Sequence, residues 1–398
     1  MSGKWNEWAS QFGLLGLLIV AAFQSAWSAD ADSEQVQKAI EQVRAVQREG
    51  QGNVAAQQAV QTLHAADATA LVPILNGFSD ANPLAVNWLR ASFEMVADST
   101  LKSGQKLPAK QLEAFLFNRE QDPRARRLAY EWLVKVDPTA PDRVIPQMID
   151  DPNPDFRRDA ASRLQKQADE IVASAKGKDL PAAEADQAKS LYRQALSAAS
   201  DRDQVMDLAK SLEKLGTAVD LVDTFGFVTD WMVVGPFNNR DGVGFAEVYP
   251  PEKKLDLSAK YDGQLGEVAW QPILARGNQG TVDIAESLFN HKGSCMYLTT
   301  DFFSGRNQPA EFRFITANAW KLWLNGELIF AREEYHRGSR WDQYKFAVQL
   351  RKGKNTILVK LCQNEQTDPW AQKYQLQFRV VEPSGRVLHS LKQELSSR

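Results

Sequence analysis

The sequence predicts a multidomain α + β chain, an N-terminal α-solenoid of helical hairpins followed by a C-terminal antiparallel β-sandwich. Three segments begin with proline behind Asn or Asp and carry the 3.6-residue apolar stripe of a half-buried helix. From about Val219 the apolar period falls to two, the spacing of strands. Asn325-Gly326 stands between two such alternating runs, and this dipeptide best tolerates two consecutive residues with positive φ, so it closes a two-residue hairpin.

The chain opens with an apolar run from Phe12 to Phe23, behind a thin basic start at Lys4. A dozen residues suit a signal peptide and fall short of the roughly 20 that span a bilayer as a helix. Ala26-Trp27-Ser28 offers small residues where a signal peptidase reads, so residues 1–29 are expected to be removed and the protein to be periplasmic or extracellular. Retention of the run as an anchor is the alternative. After cleavage no membrane span is expected.

Residues 30–217 read as helices. Pro83, Pro123 and Pro154 align without a gap, behind the capping residues Asn82, Asp122 and Asn153. Each proline is followed six positions on by Leu89, Ala129 or Ala160, and four later by Phe93, Leu133 or Leu164. The prolines lie roughly 40 and 31 residues apart, within the range of stacked helical hairpins. Segments Ala68–Leu75 and Arg143–Ile149 supply the facing layer, and helices over Ala182–Ser200 and Asp201–Leu215 continue or end the stack. The Asp-Pro start, the Arg on the helix and the Ala/Leu face resemble HEAT repeats over about residues 65–170. That resemblance implies a groove for a protein partner, or a passive platform.

Residues 218–398 form the second domain. Phe225 to Phe237 is expected to be a strand running into a Gly235-Pro236 turn. In the hairpin, Trp320, Leu322 and Leu324 share one face, with Leu328 and Phe330 on the outgoing strand. Phe346, Val348 and Leu350 alternate into a turn at Arg351–Asn355, followed by Ile357, Val359 and Leu361, then Leu376, Phe378 and Val380. Such alternation predicts sheets with one wet face each. The segments Trp231–Phe237, Tyr249–Glu252 and Tyr261–Trp270 resemble those preceding jelly-roll modules in exported proteins of planctomycete-type bacteria. The strands from Cys295 to Val380, with Trp323-x-Asn325-Gly326 and Leu350-x-x-Gly353-x-Asn355, resemble the galactose-binding-like jelly roll. The resemblance implies that fold and no single ligand. Its members frequently hold a structural calcium, but an Asp/Asn-rich ligand run is missing, so the metal stays open; no other cofactor is implied.

A pyranose has an apolar face and a belt of hydroxyls, so its sites combine flat aromatics with amide and charged groups. The loop bearing Tyr335, His336, Arg340, Trp341 and Asp342 has this mixture, and a second loop carries Trp370. These six are the candidate ligand residues; the alternative is that Trp341 and Trp370 plug the ends of the sandwich. Cys295 and Cys362 either bridge, as expected in an exported protein, or pack as two buried thiols. Catalysis finds little support. The four histidines are scattered, and neither a Gly-x-Ser-x-Gly elbow nor a Gly-Lys-Ser/Thr phosphate loop is present. Asp301 or Glu334 could meet Asp342 only through the fold. Lys and Arg total 47 against 50 Asp and Glu, which excludes the concentrated basic stripe of a nucleic-acid binder. The expectation is an exported, non-enzymatic protein that binds carbohydrate or a cell-envelope glycan through the sandwich. A protein–protein scaffold and an accessory module of a glycoside-degrading system are the rival readings.

Overall fold

The computed structural model describes residues 33–176 and 179–391. The expected signal segment lies outside them. Among the described residues no helix is long and apolar enough to cross a membrane. Compactness divides the chain into a unit ending at Arg163 and a unit from Leu164 onward, the division falling within one helix.

The first unit is helical: α1 (33–44), α2 (Asn53–Ala65), α3 (Leu71–Asn76), α4 (Pro83–Lys102), α5 (Ala109–Phe117), α6 (Pro123–Val136), α7 (Ala140–Val144) and the start of α8 (Pro154–Ser174). The proline-led starts are capped as their sequence demands. Asn82 Oδ1 accepts from the amides of Leu84 and Ala85, Asp122 Oδ1 from those of Arg124 and Ala125, and Asn153 Oδ1 from that of Asp155. Two caps also reach back to earlier chain: the Asn82 amide donates to Val46 O at 2.7 Å and the Asn153 amide to Pro123 O at 2.8 Å. Leu89, Phe93, Ala129 and Leu133 are fully buried, as the stripe requires. At the third position after Pro123 and Pro154 stand Arg126 and Arg157, both fully buried. Arg126 grips Asp151 with two bonds of 2.9 and 2.7 Å, a buried charge pair, and Arg157 donates to the Asp151 carbonyl oxygen at 2.7 Å.

In the second unit, α9 (Ala182–Ala198), α10 (Arg202–Lys214) and α11 (Leu221–Phe225) precede the sheets. The strands are β1 (Asp230–Asn238), β2 (Lys260–Gly263), β3 (Gly266–Ala269), β4 (Gln271–Leu274), β5 (Val282–Asp283), β6 (Ser294–Ser304), β7 (Gln308–Thr316), β8 (Ala319–Leu324), β9 (Glu327–Arg332), β10 (Tyr344–Leu350), β11 (Gly353–Gln363) and β12 (Gln375–Val381). A six-stranded sheet, β4-β1-β6-β11-β8-β9, faces a four-stranded one, β10-β7-β12-β5, and β2-β3 forms a small ribbon. All pairings are antiparallel. The core between the two large sheets holds Trp231, Met296, Leu298, Trp320, Leu322, Ile357 and Val359 from one and Phe312, Phe314, Leu376 and Phe378 from the other.

Three sequence expectations change. Gly235-Pro236 is a bulge inside β1, between Val234 and Phe237, and not a turn at its end. In the β8–β9 hairpin, Asn325 and Gly326 have the positive φ values of 54° and 86° that close the turn. A register shift after Leu322 then pairs Leu322 with Phe330 but Trp323 with Leu328, so Leu328 leaves the core face and is 49% exposed. The outer face of the six-stranded sheet is also dry over much of β6 and β11. There Cys295, Tyr297, Trp323, Leu358 and Cys362 are covered by Phe245, Tyr249, Leu255, Tyr261 and Val268. The segment carrying these covering side chains includes α12 (Val243–Ala246), α13 (Pro250–Lys253) and the β2-β3 ribbon.

The two asparagine motifs are structural. Fully buried Asn355 accepts from Arg351 N (2.9 Å) and donates to Arg351 O (2.8 Å) and Gly353 O (3.1 Å), closing the β10–β11 turn. Asn325 Nδ2 donates to Asn355 Oδ1 at 3.2 Å, which ties one turn to the other. Asn355→Ala is expected to destabilise the protein by about 1–3 kcal/mol, because it removes a fully buried amide that satisfies three partly buried backbone groups of the turn. Urea unfolding measures this, and an unchanged midpoint would contradict the assigned role.

Candidate functional site

The six candidate ligand residues separate into two clusters. Positive φ at His336 (56°), Gly338 (78°) and Asp342 (48°) folds the β9–β10 connection, and its two ends meet different parts of the sandwich.

Tyr335, His336 and Trp370 come together. His336 Nε2 lies 2.7 Å from Asn364 Oδ1, and that oxygen also accepts from Gln366 N, so Nε2 carries the proton and donates. The His336 ring meets Trp370 edge to face at 5.2 Å. Trp370 sits on a 3-10 turn, Pro369–Ala371, whose Ala371 is buried while the indole is 61% exposed. Beneath, the Asn239 amide donates to Tyr335 Oη (3.1 Å) and to Gln363 O (3.0 Å). Burial pushes the Tyr335 phenol well above its ordinary range, so it stays a neutral hydroxyl. Asn239 Oδ1 and Gln363 Oε1 are buried without a protein donor, acceptors suited to an ordered water.

Sequence reasoning missed the neighbouring strip Phe289–Lys292. Asn290 Nδ2 donates to Gln372 O and Oε1 (3.2 and 2.8 Å), and Lys292 Nζ to Ala371 O (2.8 Å), so this strip is fastened to the turn that carries Trp370. Phe289 is 63% exposed, with the His291 ring 4.6 Å from it. Burial lowers the His291 pKa, which favours the neutral ring. The signal was available: an aromatic, an amide and an imidazole in succession just before β6 form the same mixture that flagged the Tyr335 loop.

Trp341 and Asp342 do not join this cluster. Trp341 packs against Phe225 (4.6 Å) and Phe227 (5.6 Å), with the guanidiniums of Arg379 and Arg202 at 4.9 and 5.3 Å from its ring. Asp342 is buried and takes two bonds from Arg379 (2.9 and 2.6 Å) and one from Arg313 (2.7 Å). Both serve packing, because a carboxylate held by two arginines has no free edge for a ligand. Arg340, just before them, is exposed.

The carboxylates that could have met as an acid pair are each engaged elsewhere. Asp301 pairs with Lys354 (2.7 Å) and accepts from Thr356 (2.7 Å), and Glu334 lies between Arg332 and Arg337 at 2.5 Å from each. The hydrogen bond from Arg332 holds Glu334 below its usual range; desolvation opposes it, and the Arg337 hydrogen bond with the charges of both arginines adds to it. Cys295 and Cys362 stand opposite each other on β6 and β11, both as free buried thiols with sulfurs 3.1 Å apart, in place of the expected bridge. Among the described residues no group of three or more His, Cys, Asp or Glu gathers to hold a metal.

No family model and no curated protein matches the chain. Among solved structures it is similar to a β-glucosidase from Kluyveromyces marxianus, at 12% identity over 38% of this chain and 16% of that one, with a TM-score of 0.23. It is also similar to the PA14 domain of the MpAFP antifreeze protein, at 12% identity over 41% and 86% of the two chains, with a TM-score of 0.25. A family 35 carbohydrate binding module from Clostridium thermocellum is 12% identical over 21% and 69%, with a TM-score of 0.16. Likenesses this weak carry no argument about activity.

Proposed function

We propose that this is an exported, non-catalytic protein that binds carbohydrate through the loop end of a galactose-binding-like jelly roll, with HEAT-like helical hairpins as a docking domain. The observation that carries the reading is the exposed Trp370 indole, carried on a 3-10 turn with the His336 ring against it and Asn364 bonded to that histidine. An exposed indole face packs on the apolar face of a pyranose, and imidazole and amide groups at its edge address the hydroxyls. Tyr335 and Asn239 fix the base of the site, and Phe289 with His291 extends it along the same turn. The engaged state of Asp301, Glu334 and Asp342 supports a binding role over a hydrolytic one, since a glycosidase needs a carboxyl free to donate a proton.

Affinity electrophoresis of the full chain through soluble polysaccharides tests the proposal. Trp370→Ala is expected to weaken binding about tenfold to a hundredfold, the loss of one stacking platform worth roughly 1–3 kcal/mol. Trp341→Ala, matched for fold by circular dichroism, is expected to leave the affinity of the folded fraction unchanged. The opposite pattern would move the site to the Trp341 cluster.

A further inference from the structure

A second surface has the chemistry of a sugar site and lies in the helical unit. Helix α2 (Asn53–Ala65) carries no Asp, Glu, Lys or Arg along its whole length. The other long helices of the unit carry them freely: α4 has Arg90, Glu94, Asp98 and Lys102, and α6 has Arg124, Arg126, Arg127, Glu131 and Lys135. Solvated helix faces are ordinarily charged, because charges keep a surface soluble and helix-forming. The face of α2 away from the core instead presents Gln57, Gln58 and Gln61.

Those amides line a groove of about 520 Å³ together with Val54, Val60 and Trp88 of α4. Among the described residues, none of the side chains lining the groove is charged. Trp88 and Val60 are half-buried against the core formed by Ala56, Ala59, Leu63, Leu89 and Phe93, which fixes the aromatic wall. Val54, 73% exposed, forms an apolar lip of the groove. Glutamines at i, i+1 and i+4 place two amides on one helical row and the third beside it, each with a donor and an acceptor to offer.

We propose that this groove is a second carbohydrate site, selective for neutral saccharides. One sugar face stacks on Trp88 and the valines while adjacent hydroxyls bond the amides of Gln57 and Gln61. A charged sugar would enter a groove without a counter-charge and lose its hydration, so uronic acids and amino sugars are disfavoured. The site is independent of the loop end of the sandwich, and either can exist without the other.

The test is affinity electrophoresis of the full chain on neutral polysaccharides (a xyloglucan, a galactomannan and a β-glucan), with a polyuronate as the charged comparison. The variants are Trp370→Ala, the pair Gln57→Ala with Gln61→Ala, and all three together. Both glutamines are exposed, and alanine suits a helix, so the pair is expected to fold as the wild type. The expected result is that Trp370→Ala retains retardation on a neutral glycan, and that adding the glutamine pair weakens it about tenfold, as for two neutral hydrogen bonds. Loss of all retardation in Trp370→Ala alone would overturn this inference and leave the loop-end reading standing. Retardation unaffected by Trp370→Ala but abolished by the glutamine pair would do the reverse. An effect of the glutamine pair confined to the polyuronate, no effect of it on any glycan, or no retardation of the wild type would each overturn the groove.

Discussion

Asp342→Ala is expected to cost about 3–5 kcal/mol of stability, the penalty for leaving a buried guanidinium without its partner. Arg379 is 2% exposed and Asp342 8%, so water cannot replace the lost bonds. The damage extends beyond the pair. Arg379 also donates to Phe225 O at 3.3 Å and supports the Trp341 ring, which joins Phe225 and Phe227 to Val205 and Ala209 of α10. Burial acts to raise the Asp342 pKa, but the Arg379 hydrogen bond and charge, with Arg313 and Lys345, outweigh it and hold the carboxyl below its ordinary range. A depressed folded pKa stabilises the native state above the unfolded value of about 3.9 and ceases to do so as pH falls through the folded value. Urea unfolding should therefore show stability declining below about pH 4, with a shallower decline in Asp342→Asn. Equal pH profiles for the two proteins would contradict the assignment.

Lys360→Ala is expected to have an effect of similar size, about 3–5 kcal/mol, by releasing the cover over the outer sheet face. Lys360 is fully buried on β11 and donates to Glu247 O (2.6 Å), Phe245 O (3.3 Å) and Glu252 Oε1 (2.8 Å). Tyr297 bonds the same Glu252 oxygen, and burial with that carboxylate drives its phenol pKa upward, so the phenol acts as the donor. These three groups join the 243–253 segment to the sheet. Lys360→Met with Glu252→Leu should cost less than the sum of the single changes, since an apolar pair leaves no stranded charge. Limited proteolysis should cut the single variants within residues 243–270 before the sandwich itself unfolds. Additive costs, or cleavage unchanged from the wild type, would show that the ion pair does not hold the cover.

Local rules were legible in the sequence where one element satisfies them alone. The prolines behind Asn82, Asp122 and Asn153 start helices because cap and first turn are adjacent in sequence. Asn325-Gly326 closes its hairpin for the same reason. The bulge after Leu322 was not legible, because an extra residue in one strand shows only against its partner. The covered outer face was missed because Cys295, Tyr297 and Leu358 alternate with core residues that are also apolar, and period two cannot say which face stays wet. The candidate site was half legible. Aromatic and polar composition flagged the loop from Tyr335 to Asp342, but Arg379, nearly 40 positions away in sequence, is what withdraws Asp342 into the interior. Asn364 lies in the second loop that composition also flagged, the one carrying Trp370, whereas Asn239 carries no local signature and is drawn to the site from the end of a distant strand.

The most direct test of the central claim is affinity electrophoresis of the full chain and its Trp370→Ala variant through soluble polysaccharides. The loop-end site predicts retardation of the wild type on at least one glycan and a loss of about tenfold or more in the variant. Wild type and variant running alike on every glycan would contradict it.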